Sequence, residues 1–284
     1  MFEIVSKSNL NSTVCRMEIA APPVARKALP GQFIILRTDT EGERIPLTIA
    51  GADAQAGTVC IIFQIVGATT AKLSRMQVGD CLADFVGPLG RPTDLSGRKN
   101  VCVVGGGVGC AIALPIAEAL HAAGCRVTAI IGFRSRDLVI LEEEFRAASD
   151  RMVLMTDDGS AGRTGNVCLP LGEFLSGGET FDEVITIGPL IMMKFVVDTV
   201  RPYGIPCTVS MNPIMIDGTG MCGGCRLTLH RDGERLTRFA CVDGPDFNGY
   251  EVDFAEAMTR GGMYRAEERR AYEEDCNLFR TEVK

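Results

Sequence analysis

Asn100-Val101-Cys102-Val103-Val104-Gly105-Gly106-Gly107-Val108-Gly109 is an apolar run that opens into a glycine-rich string. An apolar stripe follows at Ile112, Ala113, Ile116, Ala117 and Leu120, so the stretch reads as strand, tight loop and helix. That arrangement lets backbone amides approach a pyrophosphate, because side chains in the loop would hold the ligand away. A lone glycine string is weak evidence, and here the flanking strand and helix supply the context. Further strands expected over 126–132, 152–156, 183–188 and 207–210 alternate with helical segments. The alternation predicts a parallel sheet with a nucleotide at the carboxyl ends of its strands.

Candidate nucleotide contacts in this segment are Gly105, Gly106, Gly107 and Gly109. The acidic residue usual after the second strand is missing, and Arg134 and Ser135 stand in its place. Arginines there suit a 2′-phosphate, whereas a solvated turn suits the residues equally well, so NAD(H) and NADP(H) both stay open. Asp157 and Asp158 follow the third strand and are candidates for the ribose or nicotinamide. Gly188 and Pro189 end the next strand, and Met192 lies in the helix that opens there.

N-terminal to this unit, short alternating segments over 13–20, 33–38, 58–66 and 80–86 are separated by turn residues. Only 69–76 has a helical period, so a small antiparallel barrel is expected over residues 1–96. Arg44-Ile45-Pro46-Leu47-Thr48 sets a cation and a hydroxyl either side of a rigid proline, and an arginine fork suits phosphate oxygens. Gly67-Ala68-Thr69-Thr70 opens the short helix with exposed amides, and Gly87-Pro88-Leu89-Gly90 ends the barrel with a turn.

In this order the three landmarks resemble the flavin-binding barrel of the ferredoxin–NADP reductase superfamily. The resemblance implies FAD, with Pro46, Leu47 and Thr48 facing the ring and ribityl chain and Arg44 and Thr70 facing the phosphates. Phe63, Gln64 and Ile65 would line the adjoining strand, and Gly67, Thr69 and Gly87 would complete the cradle. It also implies that the Gly188-Pro189-x-x-Met192 element borders the nicotinamide.

C-terminal to the nucleotide unit comes Asp217-Gly218-Thr219-Gly220-Met221-Cys222-Gly223-Gly224-Cys225-Arg226, with Cys241 after a hairpin-like interval. Closely spaced cysteines in a glycine-rich loop, joined by a distant thiolate, make an anionic pocket suited to iron–sulfur chemistry. The glycines let the loop wrap closely and turn successive amides inward. This segment is similar to that of bacterial dihydroorotate dehydrogenase electron-transfer subunits. It resembles more closely the small subunits of NADH-dependent reduced ferredoxin:NADP oxidoreductase and sulfide dehydrogenase. The further likeness lies in Met211-Asn212-Pro213-Ile214-Met215 and Cys241-Val242-Asp243-Gly244-Pro245. It implies a [2Fe–2S] cluster on Asp217, Cys222, Cys225 and Cys241, with Asp217 where the dihydroorotate branch has a cysteine. The residues alone leave two alternatives: Asp217 as a turn residue with water or Cys207 ligating, and zinc on the same set.

The 284 residues allow two domains and an appended module: 1–96 flavin barrel, 97–208 nucleotide domain, 209–250 cluster module and 251–284 charged helical tail. The fold class is therefore β + α/β. A net charge of −7 argues against a nucleic-acid partner. Of twelve cysteines, Cys15, Cys60, Cys81, Cys102, Cys125, Cys168 and Cys207 read as small buried residues in a reducing compartment. Cys110 sits at the mouth of the glycine loop, and Cys276 reads as a plain thiol in the tail. Two histidines are too few for a multi-histidine metal site. No signal pattern or membrane-length apolar run is present, so a soluble cytoplasmic protein is expected, with no membrane partner.

The resemblance implies an electron route between NAD(P)H, FAD and the cluster, with no catalytic acid–base pair or nucleophile. It further implies a larger partner flavoprotein like the glutamate synthase small subunit, with its own iron–sulfur clusters. Ferredoxin would be an indirect partner, through electron bifurcation. The alternatives are an electron-transfer subunit of dihydroorotate dehydrogenase and a non-catalytic redox sensor.

Overall fold

The computed structural model describes residues 2–281. Met1 and residues 282–284, the ends of the expected first and last segments, lie outside the described residues, as does the side chain of Cys276.

Seven strands make the first sheet: β1 (Phe2–Asn9), β2 (Val14–Ala20), β3 (Phe33–Arg37), β4 (Ile45–Asp53), β5 (Thr58–Gln64), β6 (Cys81–Leu82) and β7 (Asp84–Leu89). Their order is β6-β1-β2-β5-β4-β3-β7, with every pairing antiparallel. The strand expected over 80–86 is broken at Ala83, because the chain changes partners there, from β1 to β3. The break brings the two ends of the sheet together and closes the barrel, which leaves no long unpaired edge. Cys81, expected to be buried, is exposed on the two-residue β6. Helices α1 (Pro22–Ala25) and α2 (Ala68–Arg75) fill the connections.

Strand β5 is buried on both faces. Ile61 and Phe63 enter the barrel core with Met17, Ile34 and Leu36. Cys60 and Ile62 face the other way and join a core that includes Leu114 and Ala117 of the helix α3 (Cys110–Ala122). Alternation at period two gives one strand to two domains.

The second sheet contains β8 (Asn100–Gly106), β9 (Arg126–Phe133), β10 (Arg151–Thr156), β11 (Arg163–Thr164), β12 (Glu183–Ile187) and β13 (Cys207–Ser210). Helices α4 (Glu142–Ala147), α5 (Cys168–Ser176) and α6 (Leu190–Val200) connect them. The cysteine segment then forms the hairpin β14 (Arg226–Arg231) and β15 (Glu234–Phe239), the turn α7 (Ala240–Asp243) and β16 (Asp246–Asn248). The sheet order is β11-β10-β9-β8-β12-β13-β16. The sheet is mixed rather than purely parallel, because the chain returning from the hairpin pairs β16 antiparallel to β13. Helices α8 (Phe254–Arg260) and α9 (Arg265–Thr281) follow. Among the described residues no helix is long and apolar enough to cross a membrane.

Phe33 and Ile35 of the barrel share one core with Val184, Val209, Met215, Cys225 and Cys241. At the start of β12, Glu183 is 5% exposed. Its carboxylate takes an ion pair from Arg98 and a hydrogen bond from the Thr208 hydroxyl at 2.5 Å. A buried charge needs such company.

Candidate functional site

The topology sets the nucleotide crevice. The chain runs from β8 outward to β9 and β10, then crosses back to β12 on the other side of β8, so the switch point lies between β8 and β12. Gly105, Gly106, Gly107 and Gly109 stand at this point, opposite Gly188 and Pro189. A Cβ on Gly188 would come within 3.1 Å of the Gly106 carbonyl oxygen, and one on Gly109 within 2.5 Å of the Ile187 carbonyl oxygen. One on Gly106 would strike the Met192 sulfur, and one on Gly105 the Cys110 sulfur at 2.8 Å. These glycines are therefore needed for close packing. Gly107 differs: φ is +55° and a Cβ there would meet nothing within 4 Å. Its Cα faces open space, which leaves room for a phosphate to approach the loop. Met192 is half-buried beneath the two loops, while Met193 is in the core.

Arg134, Asp157 and Asp158 are exposed at the carboxyl ends of β9 and β10, with Ser135 half-buried beside them. Their loops are stitched together by the Arg136 amide to Ser160 Oγ at 2.7 Å and the Asp158 amide to the Arg134 carbonyl at 3.2 Å. Ser135 Oγ donates to Asp137 at 2.5 Å, and Ser160 holds Asp158 below the usual carboxylate range through its hydroxyl and amide.

On the barrel, β4 lies between β5 and β3, both largely buried, yet Ile45 through Thr48 are only half-buried. Ile45 and Leu47 pack on the barrel core, which leaves Pro46 and Thr48 on the opposite face. An apolar face left uncovered in mid-sheet fits a flat aromatic ring. Phe63, expected to line this site, points into the barrel core at 2% exposure and offers no side chain to a ligand. Gln64 and Ile65 are half-buried. Gly87 is closed in, since a Cβ would lie 2.6 Å from Ile34 Cγ2.

The polar groups expected at the phosphates are already engaged. The Thr70 hydroxyl accepts from the amides of Val66 and Gly67, each at 3.0 Å, and so caps α2. Thr69 donates to Glu43 at 3.0 Å. Arg44 Nε donates to the Ile216 carbonyl at 2.9 Å, which ties the barrel to the cysteine loop.

Within that loop, Cys225 and Cys241 are each 2% exposed and their sulfurs lie 3.2 Å apart. Burial and the neighbouring Cys225 sulfur push the Cys241 thiol up. Cys222 is exposed, and the amides of Gly224 and Asp217 hold its thiol below the ordinary value. The hydroxyl and amide of Thr219 hold Asp217 below the usual carboxylate range, with smaller contributions from the Met221 amide and Arg44. Among the described residues no three such groups converge on a single ion position. Of the four expected ligands, Cys225 and Cys241 meet directly, while the Asp217 carboxylate is taken up by the Thr219 hydroxyl and the Thr219 and Met221 amides and reaches Cys222 as a nearby charge. The cysteine pair fits one side of a two-iron centre, in which each iron takes two protein ligands.

Two residues that join the cysteine segment to the chain after the barrel escaped the sequence reading. Arg91, in the linker after the barrel, donates from Nε to the Val242 carbonyl at 3.0 Å. Asp246 is half-buried between Thr93, whose hydroxyl donates to it at 2.5 Å, and Ser210. Neither sits in a motif, so no local signal marks them.

A closed flavin-type barrel, a glycine-lined nucleotide crevice and a cysteine loop between them define a ferredoxin-reductase-like electron-transfer protein with an iron–sulfur module. Residues 212–253 match the iron-sulfur cluster binding domain of dihydroorotate dehydrogenase B. The chain is 45% identical to a dihydroorotate dehydrogenase B (NAD(+)) electron transfer subunit homolog of Thermotoga maritima, over 95% of this chain and 94% of that protein. It is 47% identical to an uncharacterized protein of the adh 3′ region in Clostridium beijerinckii, over 95% of this chain and 93% of that one. A solved chain of an NADH-dependent reduced ferredoxin-NADP oxidoreductase superposes with a TM-score of 0.90 at 42% identity, covering 96% of this chain and 97% of that chain. The chain belongs to the family of dihydroorotate dehydrogenase B electron-transfer subunits and their homologues.

Proposed function

We propose that this chain carries electrons between a pyridine nucleotide, FAD and a [2Fe–2S] cluster, and exchanges them with a partner flavoprotein. One observation carries the reading: barrel residues Phe33 and Ile35, sheet residues Val184 and Val209, and ligand candidates Cys225 and Cys241 share a single core. The three sites are thereby held at fixed separations. FAD on this barrel would supply acceptance of a hydride from the nicotinamide and single-electron exchange with the cluster. The chain's part is to position and insulate. Pro46 and Thr48 offer the ring a flat face, Gly107 leaves room for the pyrophosphate, and Gly188, Pro189 and Met192 form the wall beside the nicotinamide. Asp217 and Cys222 would hold one iron, and Cys225 and Cys241 the other. Two such pairs would suit this centre better than a single tetrahedral zinc.

NAD(H) is the nucleotide we assign. Asp137, Asp157 and Asp158 lie on the same two backbone-linked loops as Arg134 and Arg136, a poor setting for a 2′-phosphate. The names of the relatives, which specify NAD(+) and NADH, agree. The division at residues 96, 208 and 250 is supported by the barrel ending at Leu89 and the cysteine segment starting after Ser210. Coupling to ferredoxin by electron bifurcation is supported by likeness to the reduced ferredoxin-NADP oxidoreductase chain, and a partner like the glutamate synthase small subunit is proposed on the resemblance of the cysteine segment. A cytoplasmic location is supported by the eleven free cysteines among the described residues.

A second reading, service to a dihydroorotate-oxidising subunit, is favoured by the match over residues 212–253. Purification with native partners separates the two by the co-eluting subunit. The main reading expects FAD, about two irons and two sulfides per chain, and diaphorase activity with NADH well above that with NADPH. Colourless, iron-free protein that stays inert toward both nucleotides after reconstitution overturns it.

A further inference from the structure

Two barrel-side arginines reach the two ends of the cysteine loop. Arg44 Nε donates to the carbonyl of Ile216, the residue before Asp217, at 2.9 Å. Arg91 Nε donates to the carbonyl of Val242, the residue after Cys241, at 3.0 Å. The Arg91 amide adds a bond to the Gly244 carbonyl at 2.7 Å. The first and last members of the proposed ligand set are thus each adjacent to a carbonyl gripped by a guanidinium. Near the first grip, Gly218 presses on the barrel so closely that a Cβ would lie 2.8 Å from Leu89 Cδ1 and 3.0 Å from Ile35 Cγ1.

The local charges are unequal. Arg44 has Asp84 at 3.9 Å, with side chains 33% and 31% exposed. Arg91 has Asp243 at 4.0 Å and is itself 70% exposed, so solvent screens it more.

We infer that Arg44 and Arg91 are positioning residues that lock the cluster loop onto the barrel and raise the cluster's reduction potential. The inference rests on the reading that this loop holds a [2Fe–2S] centre. Reduction adds an electron to an anionic centre, so a permanent cation beside the adjacent backbone favours the reduced form. Each guanidinium also offsets the negative end of a carbonyl dipole next to a ligand. Removing Arg91 leaves the Asp243 carboxylate, two residues beyond Cys241, uncompensated, which acts in the same direction.

The test is an EPR-monitored redox titration of the purified complex carrying Arg91→Gln, Arg44→Gln or Arg91→Lys, with iron, sulfide and FAD measured on each. Both Gln variants titrate at a more negative potential than the parent, Arg44→Gln further because Arg44 is less screened. A tenfold fall in the reduced-to-oxidised ratio at fixed poise corresponds to about 59 mV. Arg91→Lys keeps the charge and returns most of the way to the parent. Loss of iron from a Gln variant that retains FAD supports the locking role. Full clusters with unchanged potentials in both Gln variants overturn the inference, as does an Arg91→Lys variant indistinguishable from Arg91→Gln. A parent complex without iron after reconstitution counts instead against the cluster reading.

Discussion

The sulfurs of Cys225 and Cys241 meet at 3.2 Å although the residues are 16 positions apart. The hairpin between them explains it: Arg226 pairs with Phe239, so the residues just outside the register are forced together. Cysteines held this close and this buried gain nothing from water, and a metal centre that takes both as thiolates gives them their use. Cys225→Ser and Cys241→Ser are each expected to reduce bound iron and sulfide to a trace while FAD stays on the barrel. Metal analysis beside flavin absorbance checks this, and a variant with full iron content refutes it.

Asp217, a proposed ligand, lies five residues before Cys222. Asp217→Ala is expected to lose the cluster, whereas Asp217→Cys keeps it with an altered EPR spectrum. An Asp217→Ala protein with unchanged iron content and spectrum removes the carboxylate from the ligand set.

Glycines of the nucleotide loop should separate by readout. A Cβ at Gly109 runs into the Ile187 backbone, which cannot give way, so Gly109→Ala is expected to cost about 1–3 kcal/mol in urea unfolding. Gly107→Ala meets open space and carries only the left-handed strain of about 1–2 kcal/mol. Its larger effect falls on the KM for NADH. Equal KM values for Gly107→Ala and the parent move the nucleotide away from this amide.

Burial pushes the Asp246 carboxyl above the usual range, against the bonds from Thr93 and Ser210. An acid raised in the folded state keeps its proton while the unfolded chain loses it. Stability from this group is therefore complete below the unfolded value of about 4 and is lost as pH rises through the folded value. Asp246→Asn should remove that segment of the stability–pH curve. Urea midpoints across the acid range check it, and parallel curves for variant and parent contradict it.

Arg98 and Glu183 form a part-buried ion pair, with side chains 21% and 6% exposed. Arg98→Ala strands the carboxylate and is expected to cost about 3–5 kcal/mol. Adding Glu183→Gln should recover much of the loss in urea titrations. Failure of the second change to restore stability assigns the cost to packing.

The elements that periodicity and glycine spacing control were legible in the sequence. The strand–loop–helix at Asn100–Gly106 and Cys110–Ala122 lies where the glycines require it, and so does the short helix at Ala68–Arg75. What escaped depends on partners distant in sequence. Ala83 looks like ordinary strand until the exchange of β1 for β3 is known. Phe63 looks like a ligand contact until the barrel closes over it. The antiparallel β16 follows from where the hairpin delivers the chain, and three residues leave little pattern to read. Arg91 acquires its role from the Val242 carbonyl, 151 positions away, and no local rule reaches that far.

Strand β5 lends one face to each of two hydrophobic interiors, with Ile61 and Phe63 on one side and Cys60 and Ile62 on the other. Two bodies joined through such a shared wall cannot open like jaws without exposing both interiors to water. Room for a nicotinamide to enter and leave is then to be sought in the loops at the strand ends rather than in a hinge between the two bodies.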